Sequence, residues 1–96
     1  GAEVHGSTLG LIGAGRIGKI MSKRASGFEM KVIYYDVNRM SAEDEAMYHM
    51  TYMPMDEVLQ MADFVSVHTP YMPATHHLIS ERELKLMKPT AILINT

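Results

Sequence analysis

Cysteine is missing from all 96 residues. Disulfides and thiolate metal sites are therefore excluded, and a reducing, cytoplasmic setting is the simplest expectation. No apolar run approaches the roughly 18 residues needed to span a bilayer, and no signal peptide opens the chain, so no membrane partner is expected. Basic runs are absent too. Nine lysines and arginines against eleven acidic residues leave a formal charge of -2, with no patch to attract nucleic acid. Low-complexity tracts and internal repeats are also lacking. At 47% hydrophobic and 21% charged, the composition is that of one small globular domain with a modest core. What is plentiful is methionine, with ten copies, a side chain suited to filling irregular gaps in a core.

The most informative stretch is Leu9-Gly10-Leu11-Ile12-Gly13-Ala14-Gly15-Arg16-Ile17-Gly18. An apolar run ends in G-x-G-x-x-G, and a helix-like segment begins at once. The motif is short and weak alone, but here a strand precedes it, a helix follows, and Asp36 closes a second apolar strand eighteen residues after Gly18. Each glycine has its own task. Gly13 permits the tight turn, Gly15 lets a pyrophosphate approach the backbone, and Gly18 lets the helix pack close to the sheet. Free N–H groups and the positive end of the helix dipole then favour an anion. Arg16 opposes that dipole, which suggests phosphate contact, with a solvated surface arginine as the alternative. Asp36 can accept from ribose hydroxyls and would repel a 2′-phosphate, so NAD is favoured over NADP. Arg39 blurs this choice, because a nearby arginine can accommodate that phosphate. The plainer alternative is Asp36 as an ordinary turn residue.

The remaining elements follow in alternation. Apolar spacing predicts a helix over Arg16–Ser26 with Ile17, Ile20, Met21 and Ala25 on one face and Gly27 as its stop. Lys31–Asp36 is a strand. Ser41-x-x-Asp44 opens a short helix expected to carry Ala46, Met47 and Met50 inward, and Tyr52-Met53 is a brief third strand. Met55, Val58, Leu59 and Ala62 mark a helix with Pro54 at or near its first turn. Phe64–His68 is a fourth strand, Ser80-x-x-Glu83 a capping box that opens a helix ended by Pro89, and Ala91–Asn95 a fifth strand. Continuous apolar strands alternating with helices give an α/β, Rossmann-type doubly wound parallel sheet of order 3-2-1-4-5, with a crevice between strands one and four.

Chemistry beyond cofactor binding is hard to find. His68-Thr69-Pro70 ends strand four beside that crevice, yet a strand-end histidine is more often satisfied by its neighbours than catalytic. His76-His77 lack further ligands, and His5 and His49 carry no pattern, so no metal is implied. No nucleophile–base pair or carboxylate pair is present, and no catalytic residue is assigned.

With those residues in place, the chain resembles the cofactor domain of the D-isomer-specific 2-hydroxyacid dehydrogenases. The likeness rests on Glu3–Gly18, Ala62–Pro70, Thr75-His76-His77-Leu78-Ile79 and Met87–Thr96, and is weakest from Val37 to Met53. The resemblance implies that Arg16 and Ile17 meet the pyrophosphate and that Asp36 holds the adenosine ribose. It also implies that Thr69 and Pro70 line the cofactor, that Thr75 lies near it, and that Thr96 opens the nicotinamide-side contact. The family's strand five runs into Ala-Arg-Gly. That arginine anchors a substrate carboxylate, and a glutamate and a histidine further on complete a proton relay. None of the three lies in this chain, and Pro54 stands where relatives often place a capping serine.

The expectation is therefore a partial NAD-binding domain, residues 1–96, truncated after strand five and lacking the substrate domain. Its parent would be a homodimeric oxidoreductase acting on a small 2-hydroxy or 2-keto acid with NAD(H), and the isolated chain would be inactive. A both-sides-apolar fifth strand left at the sheet edge would also favour self-association. The alternatives are a non-catalytic NAD(H)-sensing or corepressor-like module of the same fold, and another Rossmann dehydrogenase with a different substrate domain.

Overall fold

Leu9, Leu11 and Ile12 leave water completely or nearly so, which requires cover on both faces of the strand that carries them. In the computed structural model, which describes residues 5–13, 15–68 and 80–95 (Arg16, Ile17 and Asn95 by their backbone), that strand is β1 (Thr8–Ile12). It lies at the centre of a five-stranded sheet with β2 (Lys31–Tyr35), β3 (Met50–Tyr52), β4 (Phe64–Val67) and β5 (Ile92–Asn95). The order is β3-β2-β1-β4-β5, every pair is parallel, and the order reverses between β1 and β4, as expected.

Two helices serve each side of the sheet. Leu9, Leu11, Val32, Tyr34 and Met50 form one cluster with Ala25 of α1 (Gly15–Ser26), and Tyr48 of α2 (Ala42–Tyr48) packs against it. Ile12, Ile33 and Val65 form the other with Val58, Leu59 and Ala62 from α3 (Met55–Met61) and its C-cap; Leu86 of α4 (Glu81–Leu86) and Met87 close it. Fully burying side chains of this size contributes about 1.5–3 kcal/mol each. Beyond β4 cover thins, and Ile92, Leu93 and Ile94 are 47%, 39% and 37% exposed, so β5 keeps apolar surface open on both faces. Among the described residues no helix is long and apolar enough to cross a membrane.

Several local expectations need correction. Gly27 does not end α1 in a left-handed turn. Glu29 does, at φ 54°, with Met30 N–H donating to the Ala25 carbonyl at 3.2 Å and Glu29 N–H to that of Ser26 at 3.1 Å. The helix itself ends at Ser26, as expected, and that crossed pair of bonds satisfies its last carbonyls while placing Met30 on the core. On α1 the inward face includes Ser22, 1% exposed, rather than Ile20, 48% exposed, because the Ser22 hydroxyl donates to the Tyr48 carbonyl at the end of α2. On α2, Ala46 and Met47 face solvent, since the helix is oriented by its polar residues Asp44, Glu45 and Tyr48. Met50 is buried as expected, but as the first residue of β3. Pro54 occupies the N-cap of α3 without a side-chain cap bond.

Gly10 went unremarked in the sequence pattern and proves to be a point where α3 comes close to the sheet. A Cβ there would stand 2.8 Å from both Ala62 Cβ and Val58 Cγ1. Gly10→Ala should therefore push α3 off β1 and cost about 1–3 kcal/mol, the usual range for overpacking, read as a lower midpoint in urea at unchanged slope.

Two carboxylates fasten the strand starts and α4. Asp63 Oδ2 accepts from Thr8 N–H at 2.8 Å and its Oδ1 from Lys88 Nζ at 3.0 Å, and these bonds, the backbone one first, hold its pKa below the usual carboxylate range. Glu83 accepts from the Ser80 hydroxyl and N–H and from Arg82, which brings it down to about 2. A carboxylate depressed in the folded state adds stability above its unfolded pKa, near 4.5, and loses it as pH falls toward the folded value. The midpoint in urea should fall steeply between about pH 4.5 and 2, and Glu83→Gln should flatten that slope; an unchanged slope would rule out this linkage.

Candidate functional site

The strand β1 does not end cleanly at Ile12. Gly13 extends its pairing, with its N–H donating to the Tyr35 carbonyl at 2.7 Å, and takes φ 83°. Gly15 starts α1 at φ 42°. Both torsions lie in the left-handed region where a side chain strains the backbone. A Cβ on Gly15 would meet no protein atom within 4 Å, so open space lies in front of the turn. Gly18 is buried in the first turns of α1, and Arg16 and Ile17 contribute backbone to the same turn. With no acidic side chain in that turn, the unsatisfied N–H groups of the helix start are left for an anion.

Asp36 follows β2 directly, and its Oδ1 accepts from Asn38 N–H at 3.0 Å, which curls the chain back at the strand end. Gly15 and Asp36 line one cleft of about 560 Å³ together with Lys19, Asn38, Met40 and Tyr48. The glycine turn and the acidic strand end, singled out separately in the sequence, thus share one space. Lys19, Met40 and Tyr48 were missed. Lys19 had a signal, standing one helical turn after Gly15, but Tyr48 reaches the cleft only through the placement of α2. Lys19 Nζ donates to Asp44 Oδ2 at 3.1 Å and lies 5.3 Å from the Tyr48 ring centre. A second hollow, about 290 Å³, is mostly apolar, lined by Leu9, Met21, Phe28, Phe64 and Ile94 with Arg24 as its one charged side chain, and it lies away from the glycine turn and Asp36.

Arg39, left open as a phosphate ligand in the sequence, is engaged elsewhere. Its Nε and Nη2 donate to the two carboxylate oxygens of Glu45 at 3.0 and 3.1 Å, and its guanidinium lies 4.8 Å from the Tyr52 ring centre. Glu45 also accepts from the buried Tyr34 hydroxyl at 2.6 Å, and that hydroxyl accepts from Met40 N–H at 2.8 Å. Burial, then the bond to Glu45, pushes the Tyr34 phenol up to about 12, while Arg39 and Tyr34 hold Glu45 below the usual carboxylate range.

On the other side of the reversal, His68 N–H donates to the Ile12 carbonyl at 2.8 Å, and its Nε2 shares a 2.6 Å hydrogen bond with the Ser66 hydroxyl. Burial lowers its pKa, which favours the neutral ring. It is a histidine satisfied by a neighbour, as its strand-end position suggested. Thr69, Pro70, Thr75 and Thr96 lie outside the described residues.

Comparison with known proteins gives a consistent result. Residues 1–96 match the family described as D-isomer specific 2-hydroxyacid dehydrogenase, NAD binding domain. A glyoxylate reductase of Thermococcus litoralis is 48% identical over 96 residues, covering all of this chain and 29% of that protein. Among solved structures, the D-mandelate dehydrogenase of Rhodotorula graminis superposes with a TM-score of 0.92 at 38% identity, over 98% of this chain and 28% of the other. The NAD-complexed D-isomer specific 2-hydroxyacid dehydrogenase of Lactobacillus delbrueckii gives 0.87 at 45% identity, again over 98% and 28%. The chain thus spans less than a third of the length of the relatives it matches.

The open space before Gly15 makes a separable outcome. Gly15→Ala should cost only about 1–2 kcal/mol of stability, the strain of a left-handed Cβ, while its methyl enters the space where an anion would approach. Inorganic pyrophosphate, titrated by calorimetry, should bind at least about tenfold more weakly to the variant.

Proposed function

Because the chain belongs to the D-isomer specific 2-hydroxyacid dehydrogenase, NAD binding domain family, we propose that it is the cofactor-holding part of an enzyme that interconverts a small 2-keto acid and its 2-hydroxy acid. NAD(H), when bound, supplies the hydride carrier. The chain's own residues bind and orient it. Gly13, Gly15, Arg16, Ile17 and Gly18 receive the pyrophosphate, Asp36 accepts from the adenosine ribose, Thr69 and Pro70 line the cofactor, Thr75 lies near it, and Thr96 opens the nicotinamide-side contact. The observation that carries this assignment is the shared cleft of Gly15 and Asp36, with a left-handed glycine turn at a helix start on one side and a strand-end carboxylate on the other. A dinucleotide needs both within one span, and both are there.

Residues that anchor the substrate carboxylate and move the hydroxyl proton are assigned to the remainder of the parent protein, together with its substrate domain and a homodimeric, cytoplasmic assembly, as the family resemblance implies. Residues 1–96 alone would bind cofactor without turnover. Glyoxylate and its close 2-keto relatives are the substrate class to try first, supported by the naming of the Thermococcus protein as a glyoxylate reductase. A purely sensing module of the same fold is not favoured, since the matched relatives are named as reductases and dehydrogenases.

Calorimetric titration with NAD and NADP tests the binding half. NAD should bind the more tightly, and Asp36→Asn should weaken it by about 10- to 100-fold, the worth of one or two hydrogen bonds to a charged acceptor. Preference for NADP, or indifference to Asp36→Asn, would sink the assignment. NADH oxidation by the whole parent protein with glyoxylate then tests the reaction.

A further inference from the structure

We infer that Glu45 is a specificity-determining residue, a latch that keeps Arg39 from serving a 2′-phosphorylated cofactor. This rests on the assignment of the cleft at Asp36 to the adenosine ribose. Arg39 stands in the chain between Asn38 and Met40, both of which line that cleft, so its backbone is already at the cleft's rim. A guanidinium there is the group that would neutralise a ribose 2′-phosphate and offset the repulsion from Asp36. Its side chain is instead turned to Glu45 by two bonds, at 3.0 and 3.1 Å, with the Tyr52 ring beneath it.

The two partners are held unequally. The Glu45 side chain is only 13% exposed and is anchored from below by the Tyr34 hydroxyl, which has no exposure of its own. The Arg39 side chain is 60% exposed. Glu45 is thus the fixed post and Arg39 the arm, able to swing without breaking the core. Met40 N–H, bonded to the same Tyr34 hydroxyl, ties the loop to the latch. One residue earlier on α2, Asp44 holds Lys19 by a single bond, so Lys19 and Arg39 are each matched by a carboxylate of one helical turn. A fork-to-fork arginine–carboxylate pair is among the stronger polar contacts a surface can hold, which makes it a real competitor for a phosphate.

Glu45→Gln keeps an acceptor for the Tyr34 hydroxyl but removes the charge that holds Arg39. By calorimetric titration with both dinucleotides, the ratio of NADP to NAD affinity should rise about tenfold, roughly the worth of one charge-assisted hydrogen bond to the freed guanidinium. The double variant Glu45→Gln/Arg39→Met should lose that gain. Glu43→Gln, which removes the same charge from an exposed position on the same turn, should leave the ratio unchanged. Arg39→Met alone should alter neither affinity by more than about twofold, because a latched arginine contributes nothing to either cofactor. An unchanged ratio in Glu45→Gln, or a marked loss in Arg39→Met alone, overturns the latch. If Asp36→Asn still weakens NAD in the same series, the latch fails by itself; if NAD binding ignores Asp36→Asn, the assignment of the cleft fails and the latch falls with it.

Discussion

The last rung between β1 and β2, in which Gly13 N–H donates to the Tyr35 carbonyl at 2.7 Å, governs where everything else in the site can stand. It carries the pairing one residue past Ile12, so the glycine turn begins level with the end of β2 rather than drifting above it. Asp36, the next residue after Tyr35, is then brought beside the start of α1. Had the rung been missing, two separate loops would have met solvent independently. Because it is present, a left-handed turn, a helix N-terminus and a carboxylate share a single cleft. The central position of β1 reinforces this, since parallel pairing on both edges and apolar cover on both faces leave the strand end little freedom.

Around that rigid end the protein uses polar contacts to orient α2. This helix has seven residues and none of them is fully buried, so apolar packing alone cannot orient it. Orientation comes from Ser41 accepting the Asp44 N–H, from Glu45 bonded to Tyr34 and Arg39, from Asp44 bonded to Lys19, and from the Tyr48 carbonyl accepting the Ser22 hydroxyl. Of these partners Lys19 and Tyr48 line the cleft. The elements on the Asp36 side of the cleft are thus held by charge-assisted bonds, whereas β1, β4 and α3 on the other side of the turn are held by close apolar packing. The fit of α3 is close, with Gly10 providing the room that Val58 and Ala62 occupy.

Much of this was legible because it depends on local chemistry. Glycines at 13, 15 and 18 after an apolar run, with an acid at the end of the next one, need no tertiary information to be read as a phosphate turn and its partner strand. Ser41 three residues before Asp44, and Ser80 three before Glu83, marked helix starts that formed as expected, because a cap is satisfied within four residues of chain. The misplacements share a cause. Gly27 follows the last residue of α1 as expected, but the left-handed residue is Glu29, after which Met30 reaches the core. Ile20 and Met47 looked like core residues by spacing, yet they face outward because Ser22 and Glu45 found polar partners on other elements.

By itself, then, the sequence determined the element order, the parallel doubly wound sheet, the glycine turn and the acid opposite it, since periodicity and capping act over a few residues. Only the tertiary structure decided that Gly10 makes room for α3, that Lys19 and Tyr48 belong to the cleft, and that Arg39 is drawn to Glu45 instead of Asp36. Each of those depends on groups brought together by crossovers, where the winner among several possible partners is set by distance and burial. A linear pattern can show that a cation stands near an acid. It takes the packed sheet to choose which acid.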